Sequence, residues 1–256
     1  MLKENRTGQS EKDVQKVALV TGAGRGIGRA IALELARQNV FVIVNYNGSL
    51  EKAKETLRLI EDEGGCGRIY GCDVSDYGAC KEMIDALVAE YSHIDILVNN
   101  AGITRDGLLG RMSEEDFDRV LDVNLKGCFN TMRHLSRQML KQRGGKIINL
   151  SSITGIIGNP GQANYCASKA GLIGMTRALA MEFGKQNIRF NCICPGMIWT
   201  DMLRGVNQDE VAALAQSIPM GKIGDVEDIA NAMEFLIKDK YMTGQYVSPN
   251  GGIYMP

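Results

Sequence analysis

Seven short apolar runs, separated mostly by longer stretches with helical spacing, constrain this chain more than any other feature. The runs are KVALVT (16–21), VFVIVNY (40–46), RIYGC (68–72), IDILVNN (94–100), KIINLSS (146–152), IRFNCI (188–193) and GQYVSP (244–249). Their β-branched, nearly unbroken apolar character means that both faces of each strand are covered, as in a parallel sheet. The intervening segments 28–38, 49–64, 76–91, 163–184 and 225–237, and a long one within 113–141, read as helices. The second begins at Ser49 and stops at Gly64. Asp76 is the better cap candidate for the third.

Strict alternation of strand and helix predicts an α/β fold: one doubly wound, Rossmann-type parallel sheet flanked by helices on both faces. No linker, repeat or low-complexity tract interrupts 16–256, which reads as one domain after a flexible polar arm, 1–15. That arm lacks the apolar core of a signal peptide. A formal net charge of −1 gives no electrostatic basis for binding nucleic acid, and no apolar run approaches the roughly 20 residues that span a bilayer. Seven cysteines without a CxxC pair read as reduced thiols, several of them buried, in a cytoplasmic protein with no metal site.

In such a sheet, ligands bind at the carboxyl ends of the strands. The first strand ends in TGAGRGIGRA (21–30), with glycines at 22, 24, 26 and 28. Gly22, Gly24, Arg25, Gly26, Ile27 and Gly28 form a turn suited to a pyrophosphate, because close backbone approach and a helix N-terminus both favour an anion. After the second strand, NYNGSLE (45–51) has no acid before Glu51 to hold a ribose 2′-hydroxyl. Arg25 and Asn47 would instead meet a 2′-phosphate, so NADP(H) is favoured over NAD(H). Asp73 and Val74 could hold an adenine edge; the alternative, that Asp73 merely caps the following helix, is weaker because Asp76 is the better cap candidate. In NNAG (99–102), Asn99, Ala101 and Gly102 offer a flat backbone to a ribose and nicotinamide.

Tyr165 and Lys169 stand one helical turn apart with small residues between them. A phenol ordinarily titrates near about 10 and is a poor proton carrier at neutral pH. A neighbouring ammonium favours the phenolate and eases proton release. Ser151 and Ser152 end the fifth strand at the same edge.

These motifs together resemble the classical short-chain dehydrogenase/reductase family over residues 16–256. They are TGxxxGIG (21–28), Asp73-Val74, NNAG, Asn124 in VNLKG, Ser152, Tyr-x-x-x-Lys (165–169) and PGMIWT (195–200). The resemblance implies hydride transfer between a nicotinamide and a carbonyl carbon. Tyr165 would give the proton, Ser152 would polarise the carbonyl oxygen, and Lys169 would assist the tyrosine and hold the nicotinamide ribose. Asn124 would anchor a water that leads to Lys169. Pro195, Gly196, Ile198 and Thr200 would complete the cofactor site. Ser151 is the runner-up for the serine role.

Finer resemblance, over 99–130, 158–183 and 250–255, is to the subgroup that reduces 3-oxoacyl thioesters on acyl carrier protein in fatty-acid synthesis. It implies NADPH, a homotetramer built on the helices near 113–141 and 163–184, and a basic patch beside the pocket. Arg143 fits the first position of that patch, whereas the second falls on Gln186, with Lys185 adjacent, a departure from the pattern. Trp199, Val226 where a proline is common, and a shortened 235–244 depart from the pattern. An oxidoreductase acting on a sugar, polyol, steroid or other small alcohol or ketone is the alternative. A non-catalytic dinucleotide-binding scaffold is a second one.

Overall fold

The computed structural model describes residues 15–200 and 208–255. The anticipated arm, apart from Gln15, lies outside them, as do residues 201–207. Seven parallel strands form one sheet: β1 (Val17–Val20), β2 (Phe41–Tyr46), β3 (Gly67–Gly71), β4 (Ile96–Asn99), β5 (Gly145–Leu150), β6 (Ile188–Ile193) and β7 (Tyr246–Val247). Their spatial order is β3-β2-β1-β4-β5-β6-β7. The described helices are α1 (Gly26–Arg37), α2 (Leu50–Asp62), α3 (Tyr77–Tyr91), α4 (Glu114–Leu121), α5 (Gly127–Gln142), α6 (Thr154–Ile157), α7 (Ala163–Phe183), α8 (Gln208–Ser217) and α9 (Val226–Lys238).

Alternate strand residues enter two separate cores, which is why the apolar runs are continuous. Ala18, Val20, Val42, Val44, Ile96 and Val98 pack with Ile31 and Leu35 of α1 and Met233 of α9. Val17, Leu19, Ile43, Leu97 and Ile147 pack on the opposite face with Ile84 of α3, Leu135 of α5 and Leu172 of α7. The anticipated elements are present, with small differences in their ends. The final strand is only two residues long, and α6 and α8 had no expectation. Asp76 caps α3 by accepting the Ala79 N–H, whereas Ser49 stands at the start of α2 without a capping hydrogen bond.

The long helix within 113–141 is not uniform. A π-helical turn, Asp122–Lys126, joins α4 to α5 and contains Asn124. Such single-turn bulges gather at functional sites because they re-aim a side chain inside an otherwise regular helix. The chain reverses direction across the sheet between β1 and β4, and a doubly wound sheet opens its ligand crevice at that point.

Candidate active site

Two strand ends meet at the crevice. Gly22 follows β1 with φ of +63°, and a Cβ there would stand 2.9 Å from the Ala101 Cα. A Cβ on Gly28 would lie 2.4 Å from the Asn100 amide nitrogen and 2.7 Å from the Gly22 carbonyl oxygen. Only glycines let the turn close onto the end of β4 and leave the first-turn N–H groups of α1 uncovered for a pyrophosphate. The residues present therefore fit a dinucleotide. A cleft of about 510 Å³ opens beside this turn, bordered by Arg25, Gly26, Lys52, Trp199, Thr200 and Val226. Trp199 thus borders the glycine turn, and it is 43% exposed.

Deeper in the crevice, Lys169 is 4% exposed. Its Nζ donates to the Leu150 carbonyl at the end of β5 (2.6 Å) and lies 5.5 Å from the centre of the Tyr165 ring. An ammonium this buried needs a partner, and the strand-end carbonyl provides one. Gly102 keeps the space beside it open, since a Cβ there would sit 3.6 Å from that Nζ and 3.3 Å from the Asn124 Oδ1. Tyr165 is half-buried, with its ring beside the cation.

Asn124, wholly buried, is a bridge. Its Oδ1 accepts the Ile103 N–H (2.8 Å), and its Nδ2 donates to the Ile103 carbonyl (3.0 Å) and the Ser168 hydroxyl (3.2 Å). It joins the NNAG loop to the stretch of α7 between Tyr165 and Lys169. Ser151 is buried and donates to the Lys169 carbonyl (2.7 Å). Ser152 is half-buried, and its Oγ accepts from the Thr154 N–H (3.2 Å) and hydroxyl (3.0 Å). That leaves the Ser152 hydrogen to be donated elsewhere, so of the two serines Ser152 has the donor available. Gly155 had no expectation, yet a Cβ on it would fall 2.8 Å from the Ala170 nitrogen. The serine loop can therefore lie directly on α7.

The Asn99 side chain is not turned to the crevice. Its Nδ2 donates to Asn149 (2.8 Å) and its Oδ1 accepts from Thr131 (2.7 Å), so Asn99 can offer a ligand only backbone. Asn100 had no expectation, and it binds the Thr21 and Gly22 carbonyls. The Asp73 carboxylate accepts the Ser75 N–H and hydroxyl and pairs with Arg119 at 3.2 Å. Burial alone would raise its pKa, but the Ser75 hydrogen bonds and Arg119 outweigh burial and hold it below the usual carboxylate range. Its carboxylate orders the loop that carries Val74. Asn47 is exposed just after β2, and Glu51 already lies in α2, 81% exposed and paired with Lys54. Pro195 and Ile198 are buried, and Gly196 lets the segment pass against Asn250, whose Cα would be 2.6 Å from an added Cβ.

The anticipated docking cations do not flank this pocket. Arg143 ends α5 ahead of β5, and Lys185 lies in the turn ahead of β6. Both precede parallel strands, whereas Ser152 and Tyr165 follow them. Six-residue strands separate the two edges by roughly 20 Å. All seven cysteines are free, and five are buried. Burial pushes the Cys128 thiol, just behind Asn124, up to about 11, so it offers no thiolate at neutral pH. No described helix is long and apolar enough to cross a membrane.

A family model described as Enoyl-(Acyl carrier protein) reductase matches residues 22–254. The 3-oxoacyl-[acyl-carrier-protein] reductase of Staphylococcus aureus is 48% identical over 94% of this chain and 98% of its own length. The enzymes of that name from Thermotoga maritima and Escherichia coli K12 are 45% and 42% identical, over 93% and 94% of this chain and 97% and 98% of theirs. The chain belongs to the short-chain dehydrogenase/reductase family. As a short-chain dehydrogenase/reductase it works with a nicotinamide dinucleotide. In this short-chain dehydrogenase/reductase, the buried Lys169 ammonium lies between the Tyr165 ring and the end of β5.

Proposed function

We propose that this chain reduces 3-oxoacyl thioesters carried by acyl carrier protein to their 3-hydroxyacyl forms with NADPH, in fatty-acid synthesis. The observation that carries the chemistry is the Lys169 ammonium, buried beside the Tyr165 ring and bonded to Leu150. The substrate class rests on near-full-length likeness to reductases named for it.

When bound, the nicotinamide supplies the hydride that arrives at the carbonyl carbon. The Tyr165 hydroxyl gives its proton to the carbonyl oxygen as negative charge develops there. Lys169 stabilises the phenolate left behind, with little water between the two groups to screen the attraction. Ser152, its lone pairs occupied by Thr154, directs its hydrogen at the same oxygen. Asn124 fixes α7 against the NNAG loop, so it positions the tyrosine and lysine. The balance is one ketone, one NADPH and one proton converted to one alcohol and one NADP⁺.

NADPH is favoured because Arg25 lies exposed in the glycine turn and the segment after β2 presents Asn47, Gly48 and Ser49, with no carboxylate. Lys52, whose Cβ is 3.4 Å from the position of an added Cβ on Gly24, adds a second cation at this end. A homotetramer in the cytoplasm is the assembly and setting we favour. Apolar residues left exposed on α4, α5, α7 and α9 (Phe117, Phe129, Met181 and Phe235) are consistent with covered helix faces. In such an assembly, the cations that meet the carrier protein need not come from the chain that supplies Tyr165.

Purified protein should oxidise NADPH rapidly with acetoacetyl thioesters and slowly with the matching 2-enoyl thioesters. The enoyl arm is included because the family model's description names that group. NADPH oxidation no faster with 3-oxoacyl thioester than without it would sink the proposal. A large preference for a non-thioester ketone would move the activity to a sugar, polyol or steroid. In the same assay Arg25→Ala should weaken NADPH about tenfold and NADH less than about twofold, the loss of one charge-assisted contact. Equal losses would show that Arg25 does not serve a 2′-phosphate.

A further inference from the structure

In the turn between β1 and α1, side chains hold the four successive carbonyls from Thr21 to Gly24. Asn100 donates to the Thr21 and Gly22 oxygens at 2.9 and 3.1 Å. The Thr56 hydroxyl reaches the Ala23 oxygen at 3.1 Å, sharing its one hydrogen with the Lys52 oxygen at the same distance, and Arg29 Nη2 donates to the Gly24 oxygen at 2.7 Å. Thr56 and Arg29 are joined in turn, because Arg29 Nε donates to the Thr56 Oγ1 at 3.0 Å. Arg29 is further oriented by Glu55 at 2.7 Å. Thr56 is wholly buried within α2, and α2 lies against the turn so closely that a Cβ on Gly24 would be 3.4 Å from the Ala53 nitrogen.

In a peptide plane the carbonyl and the following N–H point in opposite directions. Pinning the Ala23 and Gly24 oxygens towards α2 therefore aims the following N–H groups away from α2. A carbonyl left unheld could rotate and present its oxygen to an approaching phosphate, which reverses the sign of the local field. We infer that Thr56 and Arg29 are positioning residues for the dinucleotide: by holding the Ala23 and Gly24 carbonyls from α2 and α1 they set the glycine turn in its anion-accepting form before the ligand arrives. The inference rests on the reading that this turn takes the phosphates of a nicotinamide dinucleotide.

The effect should fall on binding and not on chemistry. Thr56→Val keeps shape and removes the hydroxyl. It should raise the Kd of both NADPH and NADH about tenfold in a direct fluorescence titration, since a buried acceptor is left unpaired. Turnover at saturating NADPH and the KM for the thioester should stay within about twofold. Thr56→Ser, which restores the donor, should bring both Kd values back to within about twofold of the parent. Arg29→Met, a second route to a freed carbonyl, should weaken both dinucleotides in the same way. Unchanged Kd values for both dinucleotides in Thr56→Val and Arg29→Met would overturn the inference, as would a Thr56→Ser variant as impaired as Thr56→Val. A parent chain that binds neither dinucleotide would overturn the underlying reading and this inference with it; the variant series bears on this inference alone.

Discussion

Tyr165→Phe should lower turnover of a 3-oxoacyl thioester by about 10²- to 10⁴-fold, the range that a positioned general acid supplies. The Kd for NADPH should change by less than about threefold. The substitution removes one oxygen from a half-buried ring and leaves the ring's contact with Lys169 in place. Since the tyrosine hydroxyl accepts no described hydrogen bond that the fold depends on, the thermal midpoint should hardly move. Single-turnover measurements at saturating NADPH separate the chemical step from product release. A single-turnover rate within about threefold of the parent would remove Tyr165 from the proton-donor role.

Lys169→Met should lose as much turnover and, unlike the tyrosine variant, dinucleotide affinity too. The ammonium is 4% exposed and bonded to a strand-end carbonyl, so its charge acts at short range with little screening. Without it the phenolate formed after proton transfer has no counter-charge, and a drop of about 10²-fold or more in turnover is expected. A buried methionine fills similar volume and avoids the desolvation of a cation, while the Leu150 carbonyl loses its donor. These two effects oppose each other at about 1–3 kcal/mol each, so stability should change little. A folded Lys169→Met protein that keeps turnover within about tenfold would show that the cation does not assist Tyr165. The pair of variants also separates roles: loss of rate alone for the phenol, and loss of rate and cofactor affinity for the ammonium.

Much of this arrangement was legible in the chain. Tyr165 and Lys169 are four apart, so helical geometry alone sets them on one face. The glycines at 22 and 28 announce a close approach whatever it is that approaches. Asp76 could be recognised as a cap because its partner, Ala79, is three residues away. Each of these signals is local, with cause and effect separated by one turn of backbone.

The features without a local signal share the opposite property. Asn99 and Asn100 are neighbours in sequence, and one enters the buried chain through Asn149 while the other binds the carbonyls of the turn that follows β1. Nothing in NNAG says which goes where until β1 and β5 are known to flank β4. Thr56 and Arg29 look like ordinary helix residues, and they acquire a task only because α2 packs on the glycine turn. The subgroup resemblance implies basic residues beside the pocket, with Arg143 and Lys185 as the candidates, and no local spacing tests that placement. A parallel strand carries the chain across the whole sheet in six residues, which puts them at the other edge.

By itself, then, the sequence determined the kinds of element, their order, the family and the helical spacing of the pair proposed for proton transfer, because periodicity and short motifs act over one or two turns of backbone. The tertiary structure alone decided which asparagine faces the cofactor crevice, what holds the glycine turn open and where the surface cations fall. Apart from the Arg29–Gly24 contact, those outcomes depend on strand order and helix packing that join residues roughly 20 to 80 positions apart, and no local spacing encodes them.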